Sequence, residues 1–402
     1  MRFYNCHRVG GLLLLLGLGL TLTAKADLAS LFTNLNGPHI AGRPHRSSII
    51  FIQCDSLGYL DLSCYGQTKF LTPNLDRLAA SGMLFTNYDA NGADGPESRA
   101  ALLLGHDPGT APAVLPAGIP TIAQVLKIGG FHTGYIGEWD FGGQGSGSAP
   151  WEKGFDEFAG YLNARDAENY YADYMWRYSP RSVLNSTNNQ METFIGPETL
   201  MPNTGGRQGW YIPDLYTKAA INFIRINEST FANHYQPFFL CLNYAIPRPN
   251  QVEAARTGNG LQVPTDAPYS DENWPPAEKS KAAMIARLDN DLGQILDLLA
   301  KQQLTNSVAV FFSSATVPRK VGGLDPTFFP SVVSTNDVRL PMIASWSRHI
   351  PAGRVSGWHW SPGDLLPTAA QIGMTDYPTN EVGASILPVL YGHTMTNSTA
   401  KN

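Results

Sequence analysis

The stretch Ser48-Ile49-Ile50-Phe51-Ile52-Gln53-Cys54-Asp55 runs apolar almost without a break until it meets a carboxylate. A strand with one wet face alternates apolar and polar residues. An unbroken β-branched and aromatic run instead suits a parallel strand covered on both faces, here over residues 48–54. Asp55 then falls at the strand's carboxyl end, outside which open parallel sheets gather their ligands.

Working outward, strand and helix patterns alternate. Residues 71–82 read as a capped amphipathic helix. Residues 89–105 are a small-residue loop entering a short apolar helix, with Asp94 or Gly95 to cap it, Pro96 in its first turn and Gly105 to end it left-handed. A helix over 121–130 has Thr121 as its cap and Gly129-Gly130 as its stop, and a strand over 132–136 runs into Gly137-Glu138-Trp139-Asp140. A buried strand over 237–244 leads to Ala245-Ile246-Pro247-Arg248. The longest helix, 278–304, carries Met284, Ile285, Leu288, Leu292, Ile295, Leu296 and Leu299 at core-facing spacing, and a strand over 308–313 ends at Ser314-Ala315-Thr316. The alternation implies an α/β fold: a doubly wound, mostly parallel sheet with helices on both faces. Residues 170–209, aromatic and polar, fit no element, and no role is assigned to 165–210.

The 402 residues, 43% of them hydrophobic, suffice for a large core. The formal charge is −5 and no basic run is present, which disfavours passive binding to polyanions, so no nucleic-acid partner is expected. Arg2 and Arg8 precede an apolar run over 10–22, and Ala24-Lys25-Ala26 is a small-x-small site, so 1–26 is expected to be a signal peptide. Its removal makes the charge three units more negative, leaves no later segment suited to crossing a bilayer, and implies a secreted or periplasmic protein. An irregular leader over 27–46, one domain over 47–392 and a polar tail over 393–402 follow. Cys54, Cys64 and Cys241 would remain, an odd number that suggests buried thiols rather than a disulfide framework. Asn185, Asn227 and Asn397 each begin an N-x-S/T triplet.

The run from Cys54-Asp55-Ser56 through 71–82 to Ser98-Arg99-Ala100-Ala101-Leu102-Leu103, together with Gly154-Phe155-Asp156-Glu157, resembles the N-terminal half of the sulfatase family, within the alkaline-phosphatase superfamily. The resemblance extends over most of the chain and implies that fold, without most of the family's smaller C-terminal subdomain. It also implies where the chemistry should sit. The family's nucleophile, a Cys or Ser oxidised to formylglycine, falls on Gly95, four residues before Arg99. Its metal ligands fall on Asp55, Ser56, Ala315 and Thr316, and its sulfate-gripping Lys and His on Glu138 and Asp140. A later His falls on Arg248, and a further Lys has no clear counterpart, Lys320 being the nearest.

Glycine has no side chain to oxidise. A calcium site needs about six to eight oxygens, and here one carboxylate of three is kept. Negative charge at 138 and 140 repels a sulfate ester. The expectation is a catalytically degenerate sulfatase-like protein without cofactor or family-type calcium, retained as a binding or structural scaffold for a glycan or another protein. The alternative is an ester hydrolase of the superfamily whose metal site is rebuilt from Asp55, Glu138 and Asp140. For individual residues both roles stay open. Arg99 either binds an anion at the helix start or closes that start. Asp55 caps a turn or holds a metal. Glu138 or Asp140 pairs with Arg248 to fill the emptied cleft.

Overall fold

In the computed structural model the described residues are 46–90, 95–107, 115–185, 190–229, 235–318, 328, 330–331, 338–378 and 383–394. The strands are β1 (Ser48–Cys54), β2 (Met83–Phe85), β3 (His132–Glu138), β4 (Glu157–Tyr161), β5 (Tyr174–Asn185), β6 (Gln190–Thr199), β7 (Phe238–Asn243), β8 (Val308–Ser314), β9 (Met342–Ser345) and β10 (Arg354–Ser356). They form one ten-stranded sheet in the order β10-β2-β9-β8-β1-β7-β3-β4-β5-β6. The central block from β8 to β4 is parallel, and antiparallel pairs flank it on both sides. Every residue of β1 is buried between β7 and β8, which is why its apolar run has no polar alternation.

The main helices are α1 (Pro73–Ala80), α2 (Gly95–Leu104), α3 (Ile122–Ile128), α4 (Ile212–Asn227), α5 (Gln251–Thr257), α6 (Pro276–Lys301) and α7 (Leu365–Ile372). Ile50 and Ile52 of β1 pack into a core with Leu75 and Leu78 of α1, Ile212 and Ile224 of α4, and Leu288 and Leu292 of α6. Ile49 and Phe51 point the other way, into a second core with Leu102 of α2, Ile122 of α3 and Leu366 of α7. The fold is thus the doubly wound α/β arrangement that the strand–helix alternation implied.

Several local expectations change. Thr72 precedes α1 but does not cap it, because its hydroxyl is taken by the Ser63 amide at 3.0 Å and the Ser63 hydroxyl at 2.8 Å. The carboxylate of Asp289, on α6, accepts instead from the amides of Asn74 at 3.0 Å and Leu75 at 2.8 Å. Gly95 is the first helical residue of α2, Gly105 closes that helix at φ +76°, and Asp94 lies outside the described residues. Strand β3 continues to Glu138, two residues beyond its expected end. The unassigned 170–209 region contains β5 and β6, an antiparallel pair on the edge of the sheet.

Asn227 is only 8% exposed, and its amide nitrogen donates to the Phe223 carbonyl at 3.0 Å and to Glu157 at 3.2 Å, so it makes a poor glycan acceptor. Residues 1–45 and Asn397 lie outside the described residues. Among the described residues no helix is long and apolar enough to cross a membrane.

Candidate functional site

Five segments bring the sequence-selected residues together: the ends of β1, β3 and β8, the start of α2, and the turn after β7. Asp55 follows β1, and its Oδ1 accepts from the Thr316 hydroxyl at 2.5 Å while its Oδ2 accepts from Arg248 Nη1 at 2.5 Å. Glu138, the last residue of β3, receives Arg99 Nη2 at 2.8 Å and Arg248 Nη1 at 3.2 Å on Oε1, and Arg248 Nη2 on Oε2. Arg99 also lies 3.7 Å from Asp55 and 3.5 Å from Asp140. The expected ion pair of Arg248 therefore forms with Glu138. Asp140 instead faces Arg99, and its Oδ1 accepts from the Ala164 amide at 3.1 Å.

The electrostatics follow from that geometry. Burial disfavours the guanidinium charges, but Glu138 and Asp55 outweigh it and hold both Arg99 and Arg248 above their ordinary range. Burial likewise pushes against the Glu138 carboxylate, and the two arginines overcome it, leaving Glu138 below its ordinary value. Asp140 is different: burial dominates over the more distant Arg99 and moves its carboxyl upward. Glu168, 3.3 Å from Arg248 Nε, is raised for the same reason. Side-chain exposures of 22% for Asp140 and 17% for Glu168, against 3% or less for Asp55 and Glu138, put the surplus negative charge on the outer side of the cluster.

The four positions where the resemblance puts metal ligands do meet. Ser56 donates its amide to Thr316 Oγ1 at 3.2 Å, and Ala315 donates its amide to the Cys54 carbonyl at 2.8 Å. Ser56 holds a left-handed φ of +63°, and so does Asp140, at +65°, in two tight turns that border the cluster. The donor set does not suit a hard cation. It offers one carboxylate with two hydroxyls, and that carboxylate is already bonded by Arg248. Among the described residues no group of three or more His, Cys, Asp or Glu is arranged to hold a metal ion.

A Cβ added at Gly95 would sit 3.0 Å from Arg99 Nη1 and 3.5 Å from Asp55 Oδ2. Position 95 thus faces the cluster, and a side chain there would start in tight contact with the Arg99 guanidinium. Other candidate nucleophiles lack a base. Ser98 is fully buried, its hydroxyl without a hydrogen-bond partner among the described residues. Cys54 donates to the Ser313 carbonyl at 3.4 Å, and burial first, then Asp55 and Asp61, push its thiol well above the ordinary range. His132 pairs with Glu157 at 2.8 Å away from the cluster, Trp139 is core, and Lys320 lies outside the described residues.

Two participants were not visible in the sequence. Glu168 approaches Arg248, and the Tyr170 hydroxyl donates to the Arg248 carbonyl, both from the 165–210 span to which no role was assigned. Neither lies in a motif, so only the tertiary contact reveals them.

A sulfatase family model matches residues 47–373. N-acetylgalactosamine-6-sulfatase of Canis lupus familiaris is 29% identical over 387 residues, covering 89% of this chain and 68% of that protein. The crystal structure of Ps i-CgsB superposes with a TM-score of 0.66 at 23% identity, covering 86% of this chain and 76% of that one. The structure of BT4656 with its substrate D-glucosamine-2-N,6-O-disulfate superposes at 0.62 and 20% identity, covering 89% and 82%, so the likeness to both structures is one of fold. With the parallel sheet and the converging strand ends in place, the matched span shows that this chain belongs to the sulfatase family.

Proposed function

We propose that this chain is an exported sulfatase-family protein that does not hydrolyse sulfate esters and serves as a binding scaffold. Gly95 carries this reading: a residue without a side chain stands where the family nucleophile belongs, and Arg99 occupies the adjoining space at 3.0 Å. The salt-bridged cluster supports it from a second direction. Arg248 and Arg99 neutralise Asp55 and Glu138 from within, and the more exposed Asp140 and Glu168 present negative charge that repels a sulfate group. The cationic leader Arg2 and Arg8, the apolar run after it and Ala24-Lys25-Ala26 support export. A glycan is the ligand class carried over from relatives named for sulfated sugars, here in a neutral or cationic form.

The hydrolase alternative needs a cation among Asp55, Glu138 and Asp140, where the two guanidinium groups now sit, and no observation favours it. The test is aryl-sulfate turnover by the full chain and by Gly95→Cys, each made in a host that generates formylglycine, paired with elemental analysis. Neither protein is expected to turn over substrate, and no cation is expected to copurify. Turnover by Gly95→Cys would overturn the degenerate reading. Stoichiometric metal would favour the hydrolase. A site filled at a hundred times its dissociation constant would also add about 2.7 kcal/mol of stability, lost with chelator.

A further inference from the structure

Away from that cluster, α4 and α6 pack along a seam that carries a groove of about 170 Å³, lined by Asp214, Lys218, Arg287, Asn290, Asp291 and Gln294. We propose that this seam is a proton-operated latch, independent of the fate of the sulfatase cleft. With Asp291 protonated, Arg287 ties α6 to Asp214 of α4; when the proton leaves for the water of the groove, Arg287 passes to the Asp291 carboxylate and the tie is released.

Two carboxylates, one from each helix, share one bonded guanidinium across the seam. Arg287 Nη2 lies 2.7 Å from Asp214 Oδ2, the two side chains being 30% and 33% exposed, and its guanidinium sits 5.4 Å over the ring of Tyr211, the residue before α4. Asp291 is 3% exposed and is held by hydrogen bonds, from Gln294 Nε2 at 3.2 Å and with the Thr217 hydroxyl of α4. Around it stand Asp214 and Lys218 from α4 and Arg287 from its own helix. Behind Thr217 stands the Tyr244 phenol, just after β7, its oxygen 2.7 Å from the Thr217 hydroxyl. Lys218 is exposed at the rim.

That arrangement has two states. Ionising both carboxylates beside one guanidinium in a mostly buried seam is unfavourable, so the more buried acid keeps its proton. Burial, then Asp214, raises the Asp291 carboxyl to about 7 against the opposing pull of Thr217 and Arg287, which puts the exchange in the neutral range. The groove equals roughly five or six waters at about 30 Å³ each, enough to carry the proton away. Arg287 and Asp291 are four residues apart on one helix and share a face, so Arg287 reaches Asp291 by a side-chain rotation without moving α6. The Asp291 carboxylate claims it, because Asp214 keeps water to solvate its charge and Asp291 has little. Arg287 then leaves both Asp214 and the Tyr211 ring, and the start of α4 loses its polar tie to α6.

The experiment is hydrogen–deuterium exchange of the full chain, read by mass spectrometry from about pH 5.5 to about pH 8.5 and corrected for the intrinsic pH dependence of exchange. Peptides from the first half of α4 are expected to exchange about threefold faster or more above pH 7 than below it, since an ion pair and a ring contact are lost there. Helix α3, packed in the other core, is expected to stay constant. Asp291→Asn forms no carboxylate and is expected to keep the low-pH rate throughout. Asp214→Asn lacks the tie and is expected to exchange at pH 6 as wild type does at pH 8, which keeps the test decisive if the first variant does not fold. A double-mutant cycle of Arg287→Gln with Asp291→Asn, read by the same rates, is expected to show coupling at pH 8 that is absent at pH 6. No rise in α4, a rise shared by α3 or kept in Asp291→Asn, an Asp214→Asn protein as slow as wild type at pH 6, or equal coupling at both pH values would overturn the proposal.

Discussion

Arg248 is the residue on which the buried cluster depends, since among the described residues it alone hydrogen-bonds both Asp55 and Glu138, Arg99 bonding Glu138 but lying 3.7 Å from Asp55. Removing one partner of a buried ion pair leaves the other charge uncompensated, which typically costs about 3–5 kcal/mol. Arg248→Met is therefore expected to lower unfolding free energy in urea by about that amount. Adding Glu138→Gln to it should cost less than the two single losses combined, because the residues share one network. Asp291 gives a prediction of opposite sign. Burial, then Asp214, raises its carboxyl to about 7, so the folded protein holds a proton that the unfolded chain releases near pH 4. Its contribution to stability therefore falls as pH rises from about 4 to 7. Asp291→Asn is expected to flatten that part of the stability–pH curve and to be the more stable protein at pH 8, as chemical denaturation at several pH values would show. At this scale the sequence exposed the carboxylates at 138 and 140, where the resemblance places Lys and His, and the arginine at 248. It could not say that Glu138 rather than Asp140 would meet Arg248, because that choice depends on where β3 ends.

Among the elements, α1 shows why a cap is not always local. Its amides at Asn74 and Leu75 rest on Asp289, over two hundred residues away in sequence, so Asp289→Ala joins two effects, the lost cap and the loosened contact between α1 and α6. A loss of about 1–2 kcal/mol is expected, with faster amide exchange in α1 than elsewhere, whereas a protein of unchanged stability would remove Asp289 from that role. In β3, Gly137 sits at φ +118°, and a Cβ there would lie 1.8 Å from the Asn243 carbonyl of β7. Gly137→Ala is therefore expected to cost more than about 3 kcal/mol or to prevent soluble expression, because two paired strands would have to separate. The hairpin of β5 and β6 went unassigned, although Tyr174, Trp176 and Tyr178 recur at the two-residue period of a strand. Pro180 and the surrounding polar residues obscure that period, and an edge hairpin has only one neighbour to bury it.

At the scale of the molecule, the two sheet faces are held by separate apolar cores, while the polar cluster sits where β1, β3 and β8 end and α2 begins. Acid should act through that junction. Glu138 is held below its ordinary value by Arg99 and Arg248, so its stabilisation is complete above about pH 4.5 and fades as pH falls through the folded-state value. Wild-type protein is accordingly expected to lose stability on acidification below that point. Glu138→Gln should lose less over the same range, and equal acid slopes in the two proteins would contradict the role given to this pair.

By itself the sequence determined the fold class, because long apolar strands alternating with amphipathic helices have one economical packing, a parallel sheet covered on both faces. It also displayed Gly95, Glu138, Asp140 and Arg248 directly, the residues on which the proposed loss of the family's chemistry rests. Only the tertiary structure decided what those residues do together. Which carboxylate meets which guanidinium, whether Gly95 faces space or Arg99, and which segment contributes Glu168 all depend on strand ends and distant turns converging within a few ångströms. No local pattern encodes those distances, because they are set by the packing of segments far apart in the chain.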